Sequence, residues 1–504
     1  MNFFETFLTY SQDRPMIFTG SYFWFFYAFV LIVYSFIYKR HFTRSAFLFA
    51  VSLFFYYKSS GLFFFILIFS TLVDYSIGLA IYNSKSQNRK KILIFLSVFV
   101  NLALLGYYKY SYFFTEQINI LLGTDFRVVD HFAILGNQLF NANFSIDEII
   151  LPVGISFYTF QTISYSIDVY RGRLKPVKNI IDFGFYVSYF PQLVAGPIVR
   201  AAEFIPQIYE KYRLTKEDFG IAIFYIINGL IKKMVISDYI SLNFVDRVFD
   251  NPGTYTGFEN LVAVYGYALQ IYCDFSGYTD IAIGVSLLLG FSLPLNFNSP
   301  YKADSITDFW RRWHISLSSW LKDYLYISLG GNKKGKFRQY INLLLTMLLG
   351  GLWHGANIRF VIWGALHGVG LAFHKLWMYY VPLAKNTSKA YRIVSIIITF
   401  HFVCFAWIFF RAKDMDNINI MLLKIFGDFD IQLVAKIITS YWKIFLILFV
   451  GYLIHWLPSS IKSYYKTTFI KTPVWIKIIF VVITVLIVYQ SKSADVQPFI
   501  YFQF

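Results

Sequence analysis

His354 is the residue whose type and position most strongly suggest chemistry. It closes an almost uncharged run that begins after Arg338, and glycines lie on both sides of it. A charged, unpaired group at membrane depth costs about 2.5 kcal/mol or more, so an ionisable residue there is a functional candidate. Imidazole has an ordinary pKa of about 6.5 and can take and return a proton near neutral pH. His354 is therefore a candidate for acid–base catalysis.

A second group of reactive side chains lies in residues 303–329. Apolar residues recur there at helical spacing and form one stripe: Trp310, Trp313, Leu317, Trp320, Leu321 and Tyr324. The other faces carry Arg311, Arg312, His314, Ser318, Ser319, Lys322 and Asp323. Such a helix is too polar to face lipid across a bilayer, so it must lie in the interface or against protein or water. Ser305 or Thr307 is expected to cap its N-terminus.

A basic turn at residues 330–338 separates this segment from the run that ends at His354. At 1.5 Å per helical residue, Arg338 to His354 rises about 24 Å, and Ile327 back to His314 rises about 20 Å. A hairpin with its basic tip in the cytoplasm would therefore bring both histidines to similar depth.

The composition is that of a membrane protein. Of 504 residues, 57% are hydrophobic and 14% are charged, against about 25% charged in soluble proteins. The net charge of +17 comes from short basic clusters between apolar spans, which fits cytoplasmic loops and contacts to membrane lipid better than nucleic-acid binding. The two cysteines lie in apolar surroundings and offer neither a disulfide framework nor the spacing of a metal site.

Apolar runs long enough to cross a bilayer predict the helices that position these residues. The clear candidates are 16–37, 61–81, 92–109, 150–169, 218–236, 258–273, 340–353, 358–378, 392–410, 441–457 and 474–490. Shorter runs at 45–57, 180–195 and 281–293 are expected to be broken, tilted or re-entrant. We therefore expect an all-α, polytopic bundle of about 11 to 14 membrane helices, including re-entrant or interfacial ones, in a single domain over residues 1–504. A short interfacial helix is expected over residues 3–12.

Charge asymmetry between the loops orients this bundle. Basic residues follow the first span and fill the next long loop, whereas segment 111–149 holds five acidic residues and one arginine. Because basic loops stay in the cytoplasm, the N-terminus and segment 111–149 are predicted to lie outside.

Several motifs together resemble the membrane-bound O-acyltransferase (MBOAT) superfamily, and most closely its bacterial alginate O-acetyltransferase-like branch. Two of them surround the histidines: FWRRWHISLS at residues 309–318 and GLWHGA at residues 351–356. Further matching stretches lie at 154–161, 167–172, 190–197, 274–280, 295–301 and 499–504. The likeness covers nearly the whole chain, with a motif-rich catalytic core over residues 150–380.

The resemblance implies a multi-pass protein of the bacterial cytoplasmic membrane with helices ringed around a central catalytic cavity. The expected reaction moves an acyl group, in the first place acetyl, from a cytoplasmic thioester such as acetyl-CoA to a hydroxyl. The thioester is a substrate, and no bound cofactor or metal is expected. The acceptor would be an exported or cell-surface polysaccharide, or a periplasmic or surface partner protein that passes the acetyl group on.

Within this scheme His354 is expected to be catalytic, as a general base worth about 10²–10⁴ in rate. For His314, participation in the chemistry, orientation of substrate and structural hydrogen bonding remain open, whereas His367 is expected to pack or to support the site. Because no Gly-x-Ser-x-Gly motif accompanies the histidines, direct transfer is favoured over an acyl-serine intermediate. Candidates for substrate binding are Arg311, Arg312, Asn357, Asp274, Asn296 and Asn298.

Two other functions stay open. One is D-alanyl transfer towards teichoic acid from a carrier-protein thioester, which is the same chemistry with another donor. The other is membrane transport, because polar groups in broken helices also line substrate pathways.

Overall fold

The computed structural model describes residues 8–11, 15–140, 144–382 and 388–491. These residues are largely helical and contain no β-strand, and each of the eleven predicted spans falls on a helix. The all-α class is therefore confirmed. The interfacial helix expected over residues 3–12 lies mostly outside the described residues, and the motif at 499–504 lies wholly outside them.

Within the described residues, the first part of the bundle is built from ten helices. They are α1 (Ser21–Ile37), α2 (His41–Ser60), α3 (Phe64–Asn83), α4 (Gln87–Leu105), α5 (Ser111–Leu122), α6 (His131–Phe140), α7 (Ile155–Tyr170), α8 (Ile180–Ser188), α9 (Phe190–Leu193) and α10 (Ala201–Tyr209). Of these, α7 is buried along nearly its whole length. Its neighbours are therefore other helices, which allows it to carry polar side chains that lipid would not tolerate.

The second part holds both candidate histidines. Its helices are α11 (Lys216–Asp250), α12 (Gly257–Leu288), α13 (Ile306–Arg312), α14 (Ile315–Trp320), α15 (Lys336–His354), α16 (Ile358–Tyr380), α17 (Lys389–Arg411), α18 (Met415–Gly427), α19 (Val434–Ser440), α20 (Trp442–Trp456), α21 (Ser459–Lys471) and α22 (Val474–Ser491). Turns at residues 327–334 lie between α14 and α15, as the predicted hairpin requires. The cytoplasmic position of its tip stays a prediction.

Five helical segments in the described chain are long and apolar enough to cross a membrane. They are His41–Asn83, Gln87–Leu122, Lys216–Asp250, Lys389–Arg411 and Val474–Ser491. A sixth is added if α19 and α20, which meet at an angle of 87°, form one span. The described chain thus has several membrane-spanning candidates, and the count of 11 to 14 membrane helices stays a prediction.

Two of the three short apolar runs, which were expected to be broken, tilted or re-entrant, belong to continuous helices and are therefore not broken. Residues 45–57 lie inside α2, and residues 281–288 complete the 32-residue helix α12. The polar motif at 274–280 looks like a break in the sequence, but its side chains are buried within the bundle. Only the run at 180–195 is broken, between α8 and α9, where Tyr189 leaves the helical conformation and Pro191 begins the next turn.

Wider, π-helical turns interrupt or extend three of the helices. One follows α4 at Gly106–Tyr110, two lie within α11 at Ile231–Ser237 and Ser241–Val245, and one extends α14 at Leu321–Tyr326. Such turns are rare and often mark functional sites, because the extra residue redirects the side chains around it.

Glycines allow the helices next to the histidines to pack closely. A Cβ atom on Gly351 of α15 would meet the backbone of Gly364 on α16 at 3.1 Å, and one on Gly368 would meet Leu344 at 3.0 Å. Small residues at such crossings bring helix backbones together inside membranes. The close contact fixes α15 against α16 and thereby fixes the side chains they carry.

Candidate functional site

His314 lies at a break between two short helices. Its backbone is left-handed, with φ 42° and ψ 57°, and its side chain is fully buried. The single helix expected over residues 303–329, with His314 on a polar face, is therefore wrong. The apolar stripe itself is buried, and Ser305 is the N-cap of α13, accepting from the N–H of Asp308.

The break is possible because a neighbouring segment supplies the missing backbone hydrogen bonds. The N–H of Asn298 donates to the carbonyl of Arg312 at 2.9 Å, and the N–H of Ile315 donates to the carbonyl of Asn296 at 2.9 Å. Buried backbone groups must be paired, and these bonds come from residues far away in the sequence. Local helical periodicity therefore could not reveal the break.

Asn296 determines which nitrogen of His314 carries the proton. The Asn296 Oδ1 accepts from the backbone N–H of Ser316 at 3.1 Å and from its hydroxyl at 2.7 Å, and it lies 3.2 Å from His314 Nδ1. A carbonyl oxygen only accepts, so Nδ1 of the neutral imidazole must be the donor and Nε2 must hold the lone pair. His314 Nε2 is buried without a hydrogen-bond partner among the described residues. The contact with Asn296 thus leaves Nε2 of His314 as the basic nitrogen of the ring.

His354 ends α15 inside a cluster of aromatic rings. Its imidazole is 3% exposed, and its ring centre lies 4.9 Å from Trp353, 5.0 Å from Trp363 and 5.2 Å from Phe410. The Trp353 indole also lies 6.3 Å from the ring of His314. One tryptophan therefore contacts both candidate histidines, which places them in the same site.

His367 is a third buried histidine in this site. It lies one helical turn after Trp363 on α16, and the two ring centres are 4.7 Å apart. The indole Nε1 of Trp310 donates to His367 Nδ1 at 3.3 Å. We define the histidine cluster as His314, His354 and His367 with Trp353 and Trp363. All five side chains are at most 4% exposed, and electrostatic interactions are stronger in such surroundings than in water.

Lys109 and Tyr110, which are more than 240 residues away in the sequence, bind the C-terminal end of α15. Lys109 Nζ donates to the carbonyls of Trp353 at 2.7 Å and His354 at 3.0 Å, and the Tyr110 hydroxyl donates to the carbonyl of Leu352 at 2.9 Å. A cation at a helix C-terminus satisfies free carbonyls and favours the helix dipole. Sequence reasoning missed Lys109, although an ionisable residue at the end of an apolar span is a signal in itself.

Two cavities lie at opposite ends of α15. The first, of about 310 Å³, borders its C-terminal end at Trp353, and Lys109 is the charged residue in its otherwise mostly apolar wall. The second, of about 690 Å³, borders its N-terminal end and is lined by basic side chains. These are Arg311, Arg312, Lys336, His374 and Lys375, with Asp304 and Asp308 beside them. The 19 residues of α15 separate the two ends by about 28 Å.

The predicted binding residues fall in several places. Asn296 contacts His314, whereas Arg311 and Arg312 line the second cavity. Asn357 is exposed and caps α16 by accepting from the N–H of Arg359. Asp274 is buried in an ion pair with Lys233 at 2.5 Å, and Asn298 is exposed. Among the six, Asn296 is therefore the residue that the structure places against a candidate catalytic histidine.

Comparison with known proteins identifies the family. The sequence profile of the MBOAT, membrane-bound O-acyltransferase family matches residues 176–413. The peptidoglycan O-acetyltransferase of Helicobacter pylori is 36% identical over 392 residues, which cover 73% of this chain and 70% of that protein. The chain belongs to the membrane-bound O-acyltransferase family. The resemblance inferred from the motifs is thus confirmed.

Two further known proteins are also similar to this chain. The probable alginate O-acetylase AlgI of Pseudomonas aeruginosa is 42% identical over 355 residues, covering 70% of this chain and 64% of that protein. The teichoic acid D-alanyltransferase of Bacillus subtilis is 33% identical over 279 residues, covering 52% of this chain and 69% of that protein. The chain thus spans about two thirds of the length of the relatives it matches.

Proposed function

We propose that this protein is a membrane O-acyltransferase that moves an acetyl group from a cytoplasmic thioester, such as acetyl-CoA, to a hydroxyl. The acceptor is an exported or cell-surface polysaccharide, or a partner protein that delivers the acetyl group to one. The observation that carries this proposal is the buried histidine cluster, which lies in a bundle with a cavity at each end of α15. Relatives named for alginate and peptidoglycan O-acetylation support the acetyl group and the class of acceptor.

His354 acts as the general base in this proposal. An alcohol is a weak nucleophile at neutral pH, and removal of its proton during attack raises the rate about 10²–10⁴-fold. The hydroxyl oxygen bonds to the thioester carbonyl carbon while the proton passes to His354. The tetrahedral intermediate then collapses, the carbon–sulfur bond breaks, and the leaving thiolate takes the proton from His354. Nearby, His314 keeps its basic Nε2 unpartnered within the described residues, which suits it to orienting the hydroxyl.

The two cavities suit two different substrates. The second cavity has an excess of cationic side chains, and arginine in particular recognises phosphate through paired hydrogen bonds. The phosphate groups of coenzyme A would bind there, with the acyl arm extended towards the histidine cluster. Placing the basic turn at 330–338 in the cytoplasm gives this cavity access to the donor. The first cavity would then receive the acceptor from outside.

D-alanyl transfer is the second candidate, because the Bacillus subtilis relative is named for it. That similarity is weaker, at 33% identity against 42% for the alginate relative. Transport without acyl transfer has no support from the relatives that are similar to this chain. Acetyl transfer is therefore the function to test first.

The test is acetyl transfer by the purified protein in lipid vesicles. Radiolabelled acetyl-CoA is supplied on one side and a polysaccharide acceptor on the other, and both acetylated product and free thiol are measured. His354→Ala should lower the turnover rate about 10²–10⁴-fold. His401→Ala is the matched control, because His401 lies on the outer surface of the bundle and bonds Tyr265 there.

Three results would contradict the proposal. Wild-type activity in His354→Ala would remove the assigned base. Transfer from a D-alanyl carrier-protein thioester, with none from acetyl-CoA, would favour the second candidate. Movement of the polysaccharide across the vesicle membrane without acetylation would point to transport.

A further inference from the structure

Two buried ring nitrogens next to His354 have no hydrogen-bond partner among the described residues. They are Nε1 of Trp363 and Nε2 of His367, which lie one turn apart on α16. Trp363 is 1% exposed and His367 is fully buried. Other buried polar atoms of the described bundle also lack a partner, but these two belong to the histidine cluster and are therefore candidates for a contact with substrate.

Both nitrogens are donors. The indole nitrogen of tryptophan carries a hydrogen and cannot accept. For His367 the tautomer follows from its neighbour, because Trp310 Nε1 donates to His367 Nδ1 at 3.3 Å. A nitrogen that accepts in the neutral imidazole leaves the hydrogen on the other nitrogen. His367 Nε2 is therefore an N–H group, the opposite of His314 Nε2, which holds a lone pair.

The side chains that carry both donors pack in the same cluster as His354, beside which the acyl carbonyl would lie in the proposed reaction. The Trp363 ring centre is 5.0 Å from that of His354, and the rings are nearly perpendicular. The hydroxyl that His354 deprotonates has to attack a carbonyl carbon beside that imidazole. When it does, the carbonyl oxygen becomes an oxyanion, which preorganised N–H donors in a dry site stabilise strongly.

We propose that Trp363 Nε1–H and His367 Nε2–H form the oxyanion hole of this enzyme. This inference rests on the proposed acyl transfer and adds the two groups that hold the reacting carbonyl. As the hydroxyl oxygen bonds to the carbonyl carbon, the electron pair of the C=O bond moves to its oxygen. Both N–H groups donate to that oxygen until the pair returns and the carbon–sulfur bond breaks. Neither group transfers its own proton.

The decisive variant replaces the N–H group of Trp363 by an atom that cannot donate and keeps the fused-ring shape. Trp363 is replaced by β-(3-benzothienyl)alanine, in which sulfur stands where the indole has N–H. In the vesicle assay the turnover number should fall about a hundred- to a thousand-fold, which is typical for the loss of one oxyanion donor. The KM for acetyl-CoA should stay within about threefold, because the donor acts mainly in the transition state.

The matched control carries the same replacement at Trp377 on the same helix. The Trp377 indole is half-buried, and its Nε1 donates to the Tyr391 hydroxyl at 3.2 Å, away from the histidine cluster. Its turnover number should stay within about twofold of wild type, since no transition-state contact is lost. Equal losses at both positions would show a general effect of the replacement and overturn the assignment.

His367 gives an independent pair of variants if the Trp363 replacement fails to fold. His367→Gln keeps an N–H at the end of the side chain and should retain at least a tenth of the turnover number, whereas His367→Leu should lose about a hundred- to a thousand-fold. Equal activity of the two variants would contradict a donor role. If wild type transfers acetyl and the Trp363 variant keeps its turnover number, the oxyanion hole is wrong and the proposed function stands. If wild type transfers nothing, both fall.

Discussion

Two groups of buried polar residues lie in this bundle, and they differ in how well they are paired. In the ion-paired cluster, Lys232 bonds Asp280 at 2.6 Å, and Lys233 bonds Asp238 at 2.8 Å and Asp274 at 2.5 Å. In the histidine cluster, His314, His367 and Trp363 each keep a buried nitrogen without a partner among the described residues. A buried charge must be paired for the helices to pack. An unpartnered neutral donor or acceptor costs less than an unpaired charge, and in the proposed reaction the substrate would supply its partner.

The ion-paired cluster also gives Asp274 a structural explanation. Its carboxylate lies on α12 and its lysine partner lies on a π turn of α11, so the pair joins two helices. These helices are in close contact, because a Cβ atom on Gly229 would come within 2.5 Å of the carbonyl oxygen of Gly277. Substrate binding by Asp274 stays a prediction, but its burial is accounted for without it.

Breaking the ion-paired cluster should have the largest effect on stability. Lys233→Met leaves Asp238 and Asp274 buried near each other without their shared cation. Loss of one partner from a buried ion pair costs about 3–5 kcal/mol, which denaturant unfolding of the detergent-solubilised protein would measure. Lys443→Met, at an exposed lysine, should change stability by less than about 0.5 kcal/mol. A loss below 1 kcal/mol for Lys233→Met would show that the ion-paired cluster does not stabilise the fold.

Changing the support of the histidine cluster should affect catalysis more than folding. Asn296→Leu removes the oxygen that accepts from His314 and from Ser316. Leaving these buried donors unpaired costs about 1–3 kcal/mol, and a misplaced imidazole lowers the turnover number about 10²-fold. Asn243→Ala is the control, because that side chain bonds a local carbonyl on α11. Full activity of Asn296→Leu in the vesicle assay would show that the orientation of His314 is irrelevant to transfer.

The smallest effect on stability is expected where charges are paired in contact with solvent. Arg312 and Asp308 form a pair at 2.7 Å within α13 at the second cavity, and both are partly exposed. Such pairs contribute about 0.2–1 kcal/mol, and salt screens them. Arg312→Gln should therefore lower the unfolding free energy by less than 1 kcal/mol, and by still less at 1 M salt. A loss of several kcal/mol that does not depend on salt would show that this pair stabilises the fold as strongly as the buried ion pairs do.

The sequence predicts the helices well because long apolar runs are a local property. It does not predict the continuity of α12, since Asp274 and Asp280 look like the end of a span until their lysine partners on α11 are known. The sequence also does not predict how many helices are long enough to span a membrane, because buried helices such as α7 need not match the bilayer thickness.

For the candidate site, the sequence singles out His354 and His314, which the structure places against the same tryptophan, and it includes Asn296 among the binding candidates. The catalytic and binding roles of these residues stay predictions. It does not identify the donors of Trp363 and His367, because the tautomer of His367 depends on Trp310, 57 residues away. The contact between Lys109 and His354 spans 245 residues. Periodicity and spacing carry no information about such pairs, and the break at His314 depends on hydrogen bonds of the same long-range kind.

The contact of Lys109 with α15 limits how far the protein can be reduced in size. The family profile covers residues 176–413 and includes both candidate histidines, so a fragment of that length would keep the reactive side chains. It would lack Lys109 and Tyr110, and with them the donors to the last three carbonyls of α15. If the chain were expressed as two pieces divided near residue 175, activity would depend on reassembly across this contact. A shortened version of the protein would therefore have to keep the turn at Gly106–Tyr110 that carries these two donors.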